Sequence, residues 1–342
     1  MPDELMTTTP RRDPSMADVA LAAGVSAQTV SRVATGKGVV KESTRQRVVD
    51  AMQELGYRPN GAARALKFGR YRSIGVIMFS LSSYGNMRTL DAIASEASHA
   101  GYSLNLIPLR TATRSSVSGA FAHLNEEAVD GIIIVIEAHR LTDSDIDLPP
   151  GLPIVVIDSD DRYHYPVVDT DQAQGARLAT EHLLQLGHQT VWHIAGPEES
   201  YSAHRRRLSW EETLRDHGAE VPIVLSGDWS ARSGHRAGMR LAAMPDVTAI
   251  FAANDQMALG ALNALHSMGR RVPEDVSVVG FDDTAESAEY WPPLTTIRQH
   301  FDEVGALALK SLVATIERRQ PLQTDLVSTE LIVRASTAAP SR

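Results

Sequence analysis

Apolar positions fall into two regimes along this 342-residue chain. Up to about residue 58 they recur at helical spacing in short stretches, and from Ser73 onward compact apolar runs alternate with longer amphipathic ones. In the first regime Val19, Ala20 and Ala23 make one face of a helix, Gly24 breaks it in a tight turn, and Ser26 stands where it can cap a second helix beginning at Ala27. Two short helices joined by a glycine-containing turn form a helix-turn-helix. On the second helix Val30 and Val33 face the core, which leaves Ala27, Gln28, Ser31 and Arg32 pointing outward. Such side chains suit base edges: Gln pairs bidentately with adenine, Arg with guanine, and Ala meets a thymine methyl. A merely solvated helical hairpin would show the same local pattern, so the context decides.

The second regime predicts strands at Ser73–Phe79, Tyr102–Leu109, Gly131–Ile136, Ile154–Ile157, Thr190–Ile194, Ile223–Leu225, Ala249–Ala252 and Val276–Gly280. Helices such as Arg88–Ala100, Gln174–Leu186 and Gln256–Met268 lie between them. This alternation implies an α/β body of doubly wound parallel sheets, covered on both faces, with ligands bound outside the carboxyl ends of the strands. The residues just after strands are then the first candidates: Asp158, Ala195-Gly196-Pro197, Asn254-Asp255 and Asp282-Asp283.

Charge divides the chain at the same place. Arg11 to Arg72 holds 12 Lys and Arg against 5 Asp and Glu, a net of +7, whereas the whole chain carries −9. The first ten residues contribute −2, so residues 73 to 342 carry −14. A basic head on an acidic body confines phosphate binding to one surface. Alone, Arg45, Arg47, Arg58 and Arg64 would be an ordinary solvated helix face; beside a helix-turn-helix their concentration points to DNA. No apolar run reaches membrane-spanning length and the start, MPDELMTTTPRRDP, is too polar for secretion, so the expectation is a cytoplasmic protein with no membrane partner. Zero cysteines exclude disulfides, cysteine-ligated metals and thiol nucleophiles.

Several longer phrases carry a resemblance: G-V-S-A-Q-T-V-S-R-V, L-G-Y-R-P-N, E-H-L-L-Q-L-G-H, I-A-G-P-E-E-S-Y-S-A, A-N-D-Q-M-A-L-G-A, V-V-G-F-D-D-T and P-P-L-T-T-I-R-Q-H-F. Through them the chain resembles, from about Pro14 to about Thr337, the lactose/galactose repressor family of bacterial transcription factors. G-D-W-S-A-R-S-G and A-E-S-A-E-Y-W-P-P-L-T-T-I-R-Q are narrower and are similar to its galactoside-responsive branch. The resemblance implies an N-terminal helix-turn-helix head and a periplasmic-binding-protein-like body of two doubly wound subdomains, crossed by three strands and closing on a small molecule. It divides the chain into a flexible tail at 1–13, the DNA-binding head at 14–58, a hinge helix or linker at 59–71, a body at 72–337 and a tail at 338–342. Subdomain 1 would take about 72–170 and 299–328, and subdomain 2 about 171–298 and 329–337.

The same resemblance assigns roles to residues. DNA contacts from the head would be Ala27, Gln28, Thr29, Ser31 and Arg32. After Pro59 it implies a hinge helix paired across a homodimer and inserted in the minor groove, with Asn60 capping, Ala63 permitting close approach and Leu66 wedged between base steps. As bare sequence, G-A-A-R-A-L is equally a plain linker, too short to be stably helical alone. In the body, Asp158 and Asp282 would accept hydrogen bonds from sugar hydroxyls, Asn254 would donate and accept, and Arg206 would fork onto two adjacent ring oxygens. Trp229 and Phe301 would cover the apolar face of a pyranose, with Ser202 and Gln299 as further contacts. Such a set suits a neutral sugar. Each residue has a structural alternative: the two Asp could cap turns, Trp229 could be core, and Arg206 lies in an H-R-R-R run where solvated charge is the default. Only the family register separates Arg206 from Arg205 and Arg207.

The implied protein is a repressor of operator DNA released by a galactoside, using no metal, no catalytic residue and no cofactor beyond the sugar effector. It departs from its branch in F-S-L-S-S-Y-G-N-M-R, expected to line the pocket from the first strand, in Val135 for a polar residue, in Thr170 near an expected aromatic, and in Ala27 for a large aromatic. No apolar heptad tail follows the body, so a dimer is expected. An enzyme would make Asp158 and Asp282 a glycosidase pair, but no acid or base accompanies them and the head would be superfluous. A transport-type sugar-binding protein would need a signal peptide and no head. The nearest rival is a purine- or nucleoside-responsive regulator, possibly of the co-repressor type, which would want an aromatic stack in place of the G-D-W-S phrase.

Overall fold

A computed structural model of the chain describes residues 13–35, 38–57, 70–79, 81, 83–109, 114–135, 151–158, 165–319 and 326–341. These form two compact units that divide between Tyr71 and Arg72.

The first unit holds three helices, α1 (Met16–Ala23), α2 (Ala27–Thr35) and α3 (Glu42–Leu55). Ser15 and Asp18 cap α1 reciprocally, and Gly24 ends it at φ +63°, a left-handed conformation that glycine adopts without cost. Ser26 accepts a hydrogen bond from the Thr29 N–H at 3.2 Å, starting α2 at Ala27 as its sequence predicts. Val30 and Val33 point into a small core with Val19, Ala20 and Ala23. That core is closed by Val48 and Ala51 of α3.

The second unit contains two sheets. β1 (Ser73–Phe79), β2 (Ser103–Leu109), β3 (Gly131–Val135), β4 (Ile154–Ile157) and β5 (Val167–Val168) form a parallel sheet in the order β2-β1-β3-β4-β5. Unbroken apolar runs suit parallel strands covered on both faces. Ile74, Val76 and Met78 of β1 join a cluster with Ile93 of helix α4 (Tyr84–His99) and Ala308 and Leu312 of a later helix. Ile77 and Phe79 point the other way, against Phe121 and Leu124 of α5 (Arg114–Glu126).

Helices α6 (Gln172–Gln185), α7 (Tyr201–Asp216), α8 (Ala231–Ala242) and α9 (Asp255–Ser267) accompany the second sheet. Its strands are β6 (Trp192–Ala195), β7 (Leu225–Ser226), β8 (Ala249–Ala252), β9 (Ser277–Asp282), β10 (Thr295–Arg298) and β11 (Glu330–Ile332), in the order β11-β10-β9-β8-β6-β7. Only β11 runs antiparallel to its neighbour. Among the described residues the chain passes between the sheets three times. It leaves β5 for α6, returns after β10 into α10 (Phe301–Ile316), whose Val304, Ala308 and Leu312 pack on the first sheet, and crosses again after Val327 to β11.

Element ends differ from the sequence prediction where a cap intervenes. α4 begins at Tyr84 because the Ser83 hydroxyl accepts from the Asn86 N–H, and α6 begins at Gln172 because Asp171 accepts from the Gln174 N–H. β7 is Leu225–Ser226, whereas Ile223, predicted to begin that strand, is exposed. β9 extends past Gly280 to Asp282.

The carboxyl end of β9 is braced by a buried carboxylate. Asp255 accepts from the hydroxyl of Thr296 at 2.6 Å, the Thr284 N–H at 2.8 Å and the hydroxyl of Ser287 at 2.8 Å. Burial still pushes its carboxyl up to about 6, with those three bonds opposing. Gly280 leaves the room: a Cβ there would collide with Asp255 Oδ1 and meet Leu294 Cδ2 at 2.7 Å. Gly280→Ala should therefore destabilise the body by about 1–3 kcal/mol through overpacking. Urea denaturation followed by tryptophan fluorescence checks this; an unchanged midpoint would mean the carboxylate moves aside freely.

Candidate functional site

In the head, α2 leaves Ala27, Gln28 and Arg32 exposed and Thr29 and Ser31 half-buried. The Thr29 hydroxyl lies 3.0 Å from that of Ser26, so part of its capacity serves the helix start. The expected hinge contacts Asn60, Ala63 and Leu66 lie outside the described residues.

All eight body candidates, Asp158, Ser202, Arg206, Trp229, Asn254, Asp282, Gln299 and Phe301, line one cleft at the carboxyl ends of the two sheets. The cleft encloses about 600 Å³ of space between atoms, its open mouth included. Val135 and Thr170 line it as well, and so do Ser83, Tyr84, Gly85 and Asn86 from the segment expected to contribute there. Thr89, Ile157, Asp169, Gln172 and Val304 complete the lining and were not singled out from sequence. Asp169 and Gln172 follow β5, a two-residue strand too short to register as periodicity.

Arg206 is the centre of the cleft's polar wall. It is 4 % exposed, while Arg205 is half-buried and Arg207 exposed. The signal that distinguishes them is helical: Ala203, Trp210 and Leu214 mark the inward stripe of α7, and position 206 falls on it. The guanidinium lies 3.8 Å from the Phe281 ring centre and 5.5 Å from that of Trp229. Its Nε donates to Gln172 Oε1 at 2.8 Å and one terminal nitrogen donates to the Ala253 carbonyl. Burial lowers its pKa, and the carboxylates of Asp282, Asp158, Asp169 and Asp255 oppose that shift.

Asp282 ends β9 at φ +112°, and its Oδ1 accepts from Gln299 Nε2 at 2.7 Å. Burial pushes its carboxyl up to about 7, against the pull of Arg206 and the Gln299 bond and with a contribution from Asp255. Asp158, Trp229 and Asp283 also hold left-handed backbone angles, so four of the seven such non-glycine residues among those described sit at or beside this cleft. Strain of this kind persists where surrounding structure over-determines it, commonly at binding sites.

Asn254 is partly committed to structure. Its Oδ1 caps α9 by accepting from the Met257 N–H at 2.8 Å, and its Nδ2 donates to the Trp229 carbonyl at 3.1 Å. One amide hydrogen remains for a ligand. Gly196 makes room for the Trp229 indole, which a Cβ there would strike. Phe301 meets Tyr84 edge to face at 5.9 Å, and Ser202 shares a 3.0 Å contact with Ser200. Among the described residues no group of three or more His, Asp or Glu is placed to hold a metal ion, and no helix is long and apolar enough to cross a membrane.

Comparison with known proteins gives matches over nearly the whole chain. Residues 15–60 match the family of bacterial regulatory proteins called the lacI family, and residues 180–337 match the periplasmic binding protein-like domain. The lactose operon repressor of Escherichia coli (strain K12) is 36% identical over 329 residues, covering 95% of this chain and 91% of the relative. The transcriptional repressor PurR of Pasteurella multocida (strain Pm70) is 33% identical over 330 residues, covering 93% and 97%. The solved lac repressor dimer, bound to operator and the anti-inducer ONPF, superposes with a TM-score of 0.86 at 35% identity, covering 96% of this chain and all of that one.

The site is built against stability. A carboxyl group whose folded pKa is raised from 3.8 to about 7 contributes stability that is full below pH 3.8 and lost as pH rises through 7. Removing the charge should reverse that loss. Asp282→Asn is expected to stabilise the protein at pH 8, by up to about 4 kcal/mol, with the gain shrinking through pH 7 and gone near pH 4. Urea titrations at pH 8, 6 and 4 measure it; a gain independent of pH would show that the carboxyl is not the cause.

Proposed function

The chain belongs to the lacI family of bacterial regulatory proteins, and from that premise we propose that it is a transcriptional repressor whose hold on operator DNA is loosened by a neutral sugar, a galactoside, bound in the cleft. The observation that carries the sugar reading is the lining. Two aromatic faces, a guanidinium with donors to spare and three carboxylates, Asp158, Asp169 and Asp282, converge on one space. Hydroxyls can satisfy both kinds of polar group while ring C–H faces meet Trp229 and Phe301. Three carboxylates against one guanidinium oppose phosphorylated or acidic sugars. A purine co-repressor is the second reading, favoured by the resemblance to PurR. Against it stands the retained G-D-W-S phrase, whose Trp229 lines the cleft beside the Arg206 guanidinium.

A dimer follows from the same premise, supported by the solved dimer of a relative and by apolar surface on this chain. Trp291 is 93 % exposed, and the edge strand β2 leaves Leu106 partly bare. Two copies of α2 would then read a pseudo-palindromic site.

Three measurements test this reading. Selection from random DNA should return a two-fold symmetric operator, and Arg32→Ala should weaken specific binding by about 1–3 kcal/mol. Calorimetry against galactose, methyl galactosides, lactose, glucose and a purine base should find a galactoside the tightest. That sugar should lower operator affinity and, by linkage, bind the DNA complex more weakly by the same factor. Asp282→Ala should keep the operator and ignore the sugar. Loss of operator affinity with sugar binding intact would make Asp282 structural, and a ligand that tightens operator binding would place this chain among co-repressor-dependent regulators.

A further inference from the structure

Four buried side chains in the cleft form a single directed chain. Arg206 Nε donates to Gln172 Oε1 at 2.8 Å, Gln172 Nε2 donates to Gln299 Oε1 at 3.2 Å, and Gln299 Nε2 donates to Asp282 Oδ1 at 2.7 Å. All four are less than 8 % exposed. The direction is dictated from the Arg206 end. A guanidinium has only donors, so the oxygen of Gln172 must face Arg206, which leaves its nitrogen for Gln299 Oε1 and the nitrogen of Gln299 for a carboxyl oxygen of Asp282. Turning either amide over would set like groups against each other in a water-poor site, where each bond in an aligned series polarises the next.

The two amides also occupy the crossings between the sheets. Gln172 follows the first crossing and Gln299 lies in the second. Two residues along, Gln174 Oε1 accepts from the N–H of Thr329 at 2.7 Å and its hydroxyl at 2.9 Å, which secures the third crossing. The start of α6 thus holds both other crossings through side chains, and one of those links continues directly into the two groups of opposite charge that face the ligand space.

We propose that Gln172 is a positioning residue for the effector: its amide aligns Arg206 and Asp282 for ligand hydroxyls and makes that alignment depend on how the first two crossings lie against each other. The proposal rests on the sugar reading for its ligand, but the relay itself exists without one. Ligand contacts that pull on Arg206 or Asp282 then act on the Gln172–Gln299 link, where the halves of the body are joined.

Two substitutions separate positioning from filling. Gln172→Met keeps the length and removes both links. Gln172→Glu keeps an acceptor for Arg206 but presents a second oxygen to Gln299, which has to turn over and offer its own oxygen to Asp282. The ionisable groups acting on Asp282 are Arg206 and Asp255, with Tyr84 and Tyr290 also within its electrostatic reach. In sugar-free protein, the Asp282 carboxyl followed by carbon-13 NMR should titrate higher in Gln172→Met and higher still in Gln172→Glu. With lactose as the probe, calorimetry should show affinity reduced about tenfold in Gln172→Met, the scale of one lost buried hydrogen bond.

A residue that only fills space would lower the melting temperature and leave the titration in place. An unmoved Asp282 midpoint in both variants overturns the proposal, and so does a wild type that binds lactose while Gln172→Met binds it within twofold. If the wild type binds no lactose, the sugar reading loses that ligand, and the titration alone decides the relay.

Discussion

A guanidinium removed from water must be compensated, because the penalty for burying an unpaired ion amounts to several kcal/mol. Arg206 meets this demand without a direct ion pair to any described carboxylate. The face of Phe281, the Gln172 amide and the Ala253 carbonyl take up part of its charge, and four carboxyl groups further off hold the surrounding potential negative. Those carboxyls carry penalties of their own, visible in the raised values of Asp282 and Asp255. Each burial therefore makes the other tolerable, and neither partner is saturated. A wall of this kind retains donors and acceptors for a third party, which is what distinguishes it from the Asp283 cluster nearby, where Arg298 and Arg334 close on one carboxylate at 2.7 and 2.6 Å.

The topology brings these residues together. Alternating strands and helices make every strand but β11 parallel to its neighbours, and parallel strands present their carboxyl ends on one side. Asp158 leaves the first sheet there, and Trp229, Asn254 and Asp282 leave the second. Three crossings run through the same region, so the cleft and the joints of the body share residues. Thr170 pairs with Val327 across two of the crossings, and the Asp171 N–H donates to the Val327 carbonyl at 2.8 Å.

What the sequence revealed followed the strength of its periodic signal. β1, β3, β4 and β8 are unbroken apolar runs, legible because both faces are buried. β5 and β11 span two or three residues and carry no period, β7 shares only Leu225 with the strand predicted there, and β10, Thr-Thr-Ile-Arg, hides its buried threonines in a polar-looking stretch. Strand ends drew attention to Asp158, Asn254 and Asp282 on topological grounds alone, and the family resemblance added Arg206, Trp229, Ser202, Gln299 and Phe301. Gln172 stayed invisible. Nothing about a glutamine at the start of a helix signals a partner 127 residues away, and its role exists only in the folded contact.

The distribution of the lining over both sheets bears on regulation. A ligand can shift an equilibrium between two arrangements only by the difference in its affinity for them. A molecule held by Arg206, Asn254 and Trp229 alone would touch one half of the body and could not bias how the halves lie. Asp158, Asp169 and Thr170 come from the first half or its exit, while Tyr84 and Phe301 lie on helices packed with the first sheet. A sugar spanning both groups has contacts that form fully in only one arrangement, which gives it leverage over the three crossings. The leverage scales with contacts made across the halves and not with total affinity, so a tight ligand confined to the Arg206 wall would be a poor effector.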